Sequence, residues 1–316
     1  MIVSKKVYSS KLEDLQTLFS RSFGQQIPLE FFKWRYLNNP TGELYAAFES
    51  RGTRLVANYS VSPCPQQYCG KRIKSAISMT TMTDPDYYGR GFFTKLAKEL
   101  YTHLEDKGYY LVWGFPNANS HRGFINYLDW FDIYEIPTMS LNLEQSELFQ
   151  QKKSISDGII DDSSFDHDYS ISQPHRDYLC VVKDRRYLKW RYLENLINTY
   201  KNFTLEKEGK VGSFCVIKYY LNDSIDIVDL QPSSKEDADK LIRYAISLAL
   251  KEGIKKINAW VPIHFFTRPI FEKLRFFNTE PITYFGARIL SDKGLQQITP
   301  KSFSNWYIQM GDSDVY

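Results

Sequence analysis

Asp84-Pro85-Asp86-Tyr87-Tyr88-Gly89-Arg90-Gly91-Phe92-Phe93-Thr94-Lys95-Leu96-Ala97-Lys98 is the stretch whose reading decides the fold of this chain. A β-rich run, Ser75 to Thr83, enters it. An amphipathic helix pattern leaves it, with Phe92, Phe93, Leu96, Ala97 and Leu100 on one face. A strand that ends in a short glycine turn and restarts as a helix leaves several backbone N–H groups unpaired. Those donors and the helix dipole suit a pyrophosphate. Gly89 and Gly91 tolerate positive φ and let an oxygen approach the main chain. A P-loop is excluded, because no Gly-Lys-Ser/Thr follows. A dinucleotide fingerprint needs a third glycine where Thr94 stands.

The segment Asp86-Tyr87-Tyr88-Gly89-Arg90-Gly91 resembles the acyl-CoA-binding turn of the GNAT (Gcn5-related N-acetyltransferase) superfamily, Arg/Gln-x-x-Gly-x-Gly/Ala. Asp86 departs from it at the first position, and Arg90 restores some positive charge. The continuation has the same order. Tyr109 to Phe115 is an apolar strand opening after Lys107-Gly108, Ser120 is placed to N-cap a helix over 121–128, and Leu128-Asp129-Trp130-Phe131 stands where the family shows a Leu-Gly-Phe element. The resemblance implies an α/β (α+β) fold with a mixed, largely antiparallel sheet flanked by helices. Acetyl-CoA or another acyl-CoA would be the co-substrate, with no metal.

A second pattern sets the domain organisation. Lys33-Trp34-Arg35-Tyr36-Leu37-Asn38-Asn39 recurs as Lys189-Trp190-Arg191-Tyr192-Leu193-Glu194-Asn195, and tryptophan is scarce, with six in the chain. Leu128-Asp129-Trp130-Phe131 answers to Leu274-Arg275-Phe276-Phe277, and Phe115-Pro116 to Val261-Pro262. The reading is two tandem GNAT-like domains rather than a solenoid: an acyl-CoA-binding domain over 1–145, an acidic polar linker or loop over 146–175, and a degenerate second domain over 176–316. In the second copy Gln231-Pro232-Ser233-Ser234 replaces the glycine turn, so one cofactor site is expected, in the first.

At 316 residues the chain suits two domains, each with its own core. The net charge of +3 comes from interspersed signs and gives no nucleic-acid footprint. No signal pattern or apolar run long enough to span a bilayer is visible. Cys64, Cys69, Cys180 and Cys215 lack metal-ligand spacing. Reduced thiols and a cytoplasmic location are the expectation. The 16% of aromatic residues points first to an aromatic core and second to an aromatic-walled acceptor pocket.

By resemblance, the main chain of Met82 and Thr83 pairs with the pantetheine arm, and an N–H there polarises the thioester carbonyl. The pyrophosphate falls on Tyr88, Gly89, Arg90, Gly91, Phe92, Phe93 and Thr94. Asn117 and Ser120 stand where the family often contacts the cofactor, with Ser120 open to a plain capping role. Where the family carries a tyrosine acid, four residues before its glycine, this chain has Ile125, and the second copy Phe271. Tyr127 lies two residues on, about 200° around the helix. His121, at the start of that helix, is a candidate catalytic residue, with plain polar surface as the other reading. Asp84 is named as general base, against the turn-capping role common for such carboxylates. The ending Trp306 to Tyr316, with Asp312 and Asp314, resembles tandem GNAT-like proteins of bacterial surface-polysaccharide gene sets. Two readings are open for its carboxylates: binding an ammonium or sugar hydroxyls of an acceptor, or a solvated tail.

The expected function is N-acyl transfer, most simply acetyl transfer, to a small-molecule amine or amino sugar. A catalytically silent binding module is the rival. An aminoacyl-tRNA-dependent transferase is disfavoured by the near-neutral charge.

Overall fold

The repeated heptapeptide folds the same way twice. In the computed structural model, Lys33–Leu37 and Lys189–Leu193 each form one π-helical turn. Asn38 N–H closes the first on the Lys33 carbonyl (2.9 Å), and Glu194 N–H closes the second on that of Lys189 (3.0 Å). The asparagines that follow make matching turns, Asn39 accepting from Thr41 N–H (2.9 Å) and Asn195 from Ile197 N–H (3.0 Å). Asp129 and Arg275 also match, both in the left-handed region at φ 53° and 67°. The structure describes residues 1–144, 158–166, 177–207, 210–220, 223–291 and 298–314.

The chain divides into two compact units, Met1–Tyr134 with Tyr284–Asn305, and Glu135–Thr283 with Trp306–Tyr316. Unit 1 opens with helices α1 (Lys5–Ser9), α2 (Leu12–Phe23) and α3 (Leu29–Phe32), the last running into the first π-turn. Strands β1 (Tyr45–Arg51), β2 (Arg54–Pro63) and β5 (Ser75–Thr83) are antiparallel neighbours, with the hairpin β3 (Gln66–Tyr68) and β4 (Lys71–Ile73) between β2 and β5. Helix α4 (Phe92–Asp106) crosses to β6 (Leu111–Gly114), parallel to β5, and α5 (Ala118–Tyr127) leads to β7 (Phe131–Asn142). One face of α4 buries Phe92, Leu96, Ala97, Leu100, Tyr101 and Leu104 against Tyr59, Val61, Val112, Phe124 and Trp130. Each large apolar side chain buried there is worth about 1.5–3 kcal/mol. The hydroxyls in that core are paired, Tyr101 with Tyr59 (2.5 Å) and with the Trp130 indole N–H (2.9 Å).

Unit 2 contains β8 (Ile159–Asp161), β9 (Leu179–Val181), α6 (Arg185–Leu188) and the second π-turn. Strands β10 (Thr199–Lys207), β11 (Lys210–Tyr219) and β12 (Ser224–Gln231) follow, then α7 (Lys235–Lys251), β13 (Lys256–Ala259) and α8 (Arg268–Lys273). β14 (Phe277–Ile289) and β15 (Trp306–Tyr307) complete the strands. Leu241, Ile242, Ala245 and Ile246 of α7 pack on Phe203, Ile217, Ile227 and Ile257.

The expected boundaries at 145 and 176 are corrected by two divided strands. β7 gives its first residues to unit 1 and Glu135–Asn142 to unit 2, while β14 gives Tyr284–Ile289 back to unit 1, paired with β6 from Gly286↔Gly114 to Ile289↔Leu111. Within the expected linker, Ile159–Asp161 pairs with β10, and Asp162 and Phe165 are buried. The rest of that segment, 146–157 and 167–175, lies outside the described residues.

Candidate functional site

β5 and β6 pair over only three positions, Ser75↔Leu111, Ala76↔Val112 and Ile77↔Trp113, after which β5 runs on alone. At the last approach Gly114 is required, since a Cβ there would lie 2.9 Å from the Ser78 carbonyl oxygen. Beyond it, β5 keeps β2 on one side, and on the other, the gap between β5 and β6, no strand pairs with it among the described residues. Backbone groups alternate sides along a strand. Asp84 N–H bonds the Val56 carbonyl (2.9 Å), so Thr83 turns its N–H and carbonyl to the gap and Met82 turns its own toward β2. The expectation for Met82 is therefore corrected: the strand's open edge consists of Thr83 and, by the same alternation, Thr81. The Thr83 carbonyl accepts the Ser22 hydroxyl (3.2 Å).

A bulge interrupts β5 where the gap begins. Register passes from Ser60↔Met79 to Asn58↔Met82, and Thr80 adopts φ 54°. Asn58 Nδ2 donates to the Thr80 carbonyl (2.7 Å), and the Tyr36 hydroxyl donates to Thr80 Oγ1 (2.6 Å).

The glycine turn follows. Gly89 and Gly91 have φ of 74° and 72°, and a Cβ built on either meets nothing within 4 Å, so the backbone is open to a ligand. The N–H groups of Gly89, Arg90 and Gly91 find no acceptor among the described residues. Those of Phe92, Phe93 and Thr94 are the first-turn donors that every helix leaves over. The side chain of Phe92 is buried in the core, and Phe93 packs on Phe124 (5.2 Å between ring centres). Tyr88 is largely exposed. Arg90 lies over the Tyr87 ring (4.7 Å) and has no carboxylate partner among the described residues. A pyrophosphate fits this cradle, with six N–H groups, a helix N-terminus and one unpaired cation.

Asp84 does not serve as a base. Its side chain has no exposed surface, accepts the Asp86 N–H (3.1 Å), and is ion-paired with Arg21 (2.9 Å) and Arg54. Burial pushes its carboxyl up, but Arg54, the Asp86 N–H and Arg21 outweigh that and hold it below the ordinary range. Asp86 is bound by the same two arginines, at 2.7 Å and 3.0 Å. The acid in place of the expected Arg or Gln therefore ties α2 and β2 to the turn.

Helix α5 starts three residues earlier than expected, at Ala118, with Asn117 as its N-cap. Asn117 Oδ1 accepts the N–H groups of Asn119 and Ser120 (both 3.0 Å), and Ser120 Oγ donates back to Asn117 Oδ1 (3.1 Å). The capping role given to Ser120 thus belongs to Asn117. His121 Nε2 meets Asp132 Oδ1 at 2.7 Å, and its ring stacks on Tyr284 (4.1 Å, 9°). Tyr127 is mostly exposed, whereas Ile125 packs against the core.

In unit 2 the matching strand edge is filled. β12 pairs with β13 as far as Ile227↔Ala259, and beyond a bulge both backbone groups of Leu230 are taken by Gln309. Its Oε1 accepts Leu230 N–H and its Nε2 donates to the Leu230 carbonyl, both at 2.8 Å. Tyr307 also donates to that carbonyl (2.7 Å). Asp312, expected to meet an acceptor, is buried. Lys183 bridges it to Asp229, 2.9 Å from each, and Tyr192 donates to Asp229 (2.8 Å). Burial works against the Lys183 ammonium, and the two carboxylates more than offset it. Arg191 holds the carbonyls of Gly311 (3.1 Å) and Ser313 (3.2 Å), and Asp314 is half-buried. At the N-terminus of α7, Ser234 caps Asp237 N–H (3.1 Å) and the first turn already carries Glu236 and Asp237. That end repels an anion.

Sequence reasoning missed Ser22, Tyr36, Asn58, Thr80, Asp132 and Tyr284. The repeated heptapeptide pointed at Tyr36 without a reason for it. Among the described residues, no three His, Cys, Asp or Glu side chains are grouped to hold a metal, and no helix is long and apolar enough to cross a membrane.

Residues 4–130 match the family model for an acetyltransferase (GNAT) domain. A GCN5-related N-acetyltransferase from Kribbella flavida is similar in structure, with a TM-score of 0.66 at 14% identity over 92% of this chain and 70% of its own. A second, from Anabaena variabilis, gives 0.65 at 13% over 92% and 73%. N-myristoyltransferase from Saccharomyces cerevisiae, solved with bound myristoyl-CoA, gives 0.60 at 14% over 90% and 80%. At such identities the likeness concerns the fold. No curated protein matches the chain.

Proposed function

We propose that unit 1, whose residues 4–130 match the family model for an acetyltransferase (GNAT) domain, moves an acyl group, most simply acetyl, from acyl-CoA to the amine of a small molecule or amino sugar. The observation that carries this reading is the glycine turn, with six free N–H groups beside a strand edge open at Thr83 and Thr81. The pyrophosphate lies on Gly89 to Thr94 beside Arg90, and the amide-bearing arm pairs with Thr83. The thioester reaches the bulge, where a backbone N–H aimed at its carbonyl stabilises the charge that develops on attack. The amine's proton passes to water or to His121 Nδ1, and the thiolate takes one from water.

We read unit 2 as a degenerate tandem copy of the same domain. Its matching backbone turns at 189–195, its left-handed Arg275 and its filled strand edge all support one donor per chain. With Asp312 buried, the acceptor has to be held by other groups.

The test is thermal unfolding with and without acetyl-CoA, on wild type and Gly91→Glu. Glutamate at φ 72° brings strain and a negative charge into the cradle. At 100 Kd of ligand the wild type gains about 2.7 kcal/mol and its Tm rises. The variant, folded, should show no rise. A rise that survives Gly91→Glu moves the donor elsewhere. No rise in wild type with acetyl-CoA or longer acyl-CoAs leaves the silent binding module as the better account, which the missing tyrosine at Ile125 favours.

A further inference from the structure

We propose that Thr80 is a catalytic residue of unit 1 and that Tyr36 positions it. The Thr80 hydroxyl, polarised by the Tyr36 phenol, donates a hydrogen bond to the carbonyl oxygen of the donor's thioester. The proposal rests on the acyl-CoA reading above and adds two side chains to it.

Place comes first. Thr80 sits three residues past the last β5–β6 pair and three before Thr83, so it lies inside the gap the donor arm would fill. Conformation comes second. A β-branched residue at positive φ is a genuine outlier, and such strain of about 1–3 kcal/mol persists only where the surroundings impose it. Here Asn58 fixes the carbonyl and Tyr36 the hydroxyl, so the bulge is held by dedicated partners rather than tolerated. Hydrogen-bond direction comes third. Tyr36 is almost fully buried, and its hydroxyl lies 2.6 Å from Thr80 Oγ1 against 3.4 Å from the Met79 carbonyl, so its one hydrogen goes to Thr80 Oγ1 and the threonine's own hydrogen points elsewhere; Thr80 is the half-exposed member of the pair. A hydroxyl that accepts from one phenol donates more strongly to the next oxygen.

The second copy gives an independent contrast. Tyr192, at the place of Tyr36 in the repeat, donates to the Asp229 carboxylate, which Lys183 also holds. A carboxylate there has no hydrogen to give an oxyanion. The unit without the glycine turn thus also lacks the hydroxyl, and both features are present together only in unit 1.

In the step itself, the amine nitrogen bonds to the acyl carbon and the carbonyl π pair moves onto oxygen. Thr80 Oγ1–H and the gap-facing Thr81 N–H stabilise that oxyanion. On its collapse the C–S bond breaks, the thiolate leaves with the electron pair, and nitrogen releases its proton as described. Thr80 and Tyr36 end the cycle protonated as they began.

The test uses full-length protein and acetyl-CoA carrying 13C at the acetyl carbonyl. Calorimetry reads donor binding, and isotope-edited infrared spectroscopy reads the bound carbonyl. In wild type the bound carbonyl band should fall below that of free acetyl-CoA. Thr80→Ser should keep the lowered band. Thr80→Val and Tyr36→Phe should each return it most of the way to the free position, with Kd unchanged within about threefold. If Thr80→Val does not fold, Tyr36→Phe and Thr80→Ser decide the matter, since the phenylalanine fills nearly the same volume. Donor bound with the same band in wild type and Tyr36→Phe overturns this proposal and leaves the donor site standing. Failure of wild type to bind acetyl-CoA overturns both.

Discussion

Thr83 in unit 1 and Leu230 in unit 2 hold corresponding posts, each just past a bulge in a strand that pairs antiparallel on one side and has left its parallel neighbour on the other. At Leu230 both backbone groups are taken by the Gln309 amide, so the chain's own C-terminal segment sits where a ligand's amide could pair. At Thr83 the carbonyl has the Ser22 hydroxyl and the N–H faces the gap. The helix starts differ in the same sense. α4 begins behind two left-handed glycines with free donors, while α7 begins behind a serine cap with acids in its first turn. Similar backbones thus carry an open strand edge in one unit and a filled one in the other. The difference lies in a handful of side chains rather than in the fold.

The closed edge is the easier to break. Lys183→Met would leave Asp229 and Asp312 buried side by side without their cation. Removing one partner of such a buried set costs about 3–5 kcal/mol, so the calorimetric Tm of the variant should drop steeply. A loss below about 1 kcal/mol, the size of a surface pair, would mean that the segment is not held by this bridge.

The open edge has an anchor of its own, with a smaller effect and a definite pH sign. The Asp84 carboxyl is held below its unfolded value, so its contribution is present above the ordinary carboxylate pKa of about 3.9 and is lost as pH falls through the lower folded value. Urea titrations between about pH 5 and 2 should show wild type losing more stability than Asp84→Asn. Because the carboxylate lies just under two half-exposed arginines, the difference should shrink in high salt. Equal acid slopes would show that the turn does not depend on this pair.

Much of this contrast was legible in sequence because it is local. Two glycines one residue apart between a strand and a helix, and Pro-Ser-Ser in the copy, follow from backbone preferences that the residues carry themselves. The heptapeptide repeat foretold the two matching π-helical turns. What stayed hidden depends on contacts between residues distant in sequence. Tyr284 reaches His121 only because β14 is divided between the units, and Tyr36 reaches Thr80 across 44 positions. Asp84 and Asp312 misled for one reason: a carboxylate in a sequence carries no sign of the arginine or lysine that will neutralise it. Residues before β5 were also underread, since Arg21 and Ser22 look like ordinary helix surface until α2 packs against the strand end.

If unit 1 alone takes the donor, acetyl-CoA binds once per chain. Titration calorimetry of the full chain with acetyl-CoA tests it most directly. One equivalent should bind per chain, and none to Gly91→Glu. Two equivalents, or one that persists in the folded Gly91→Glu variant, would contradict it.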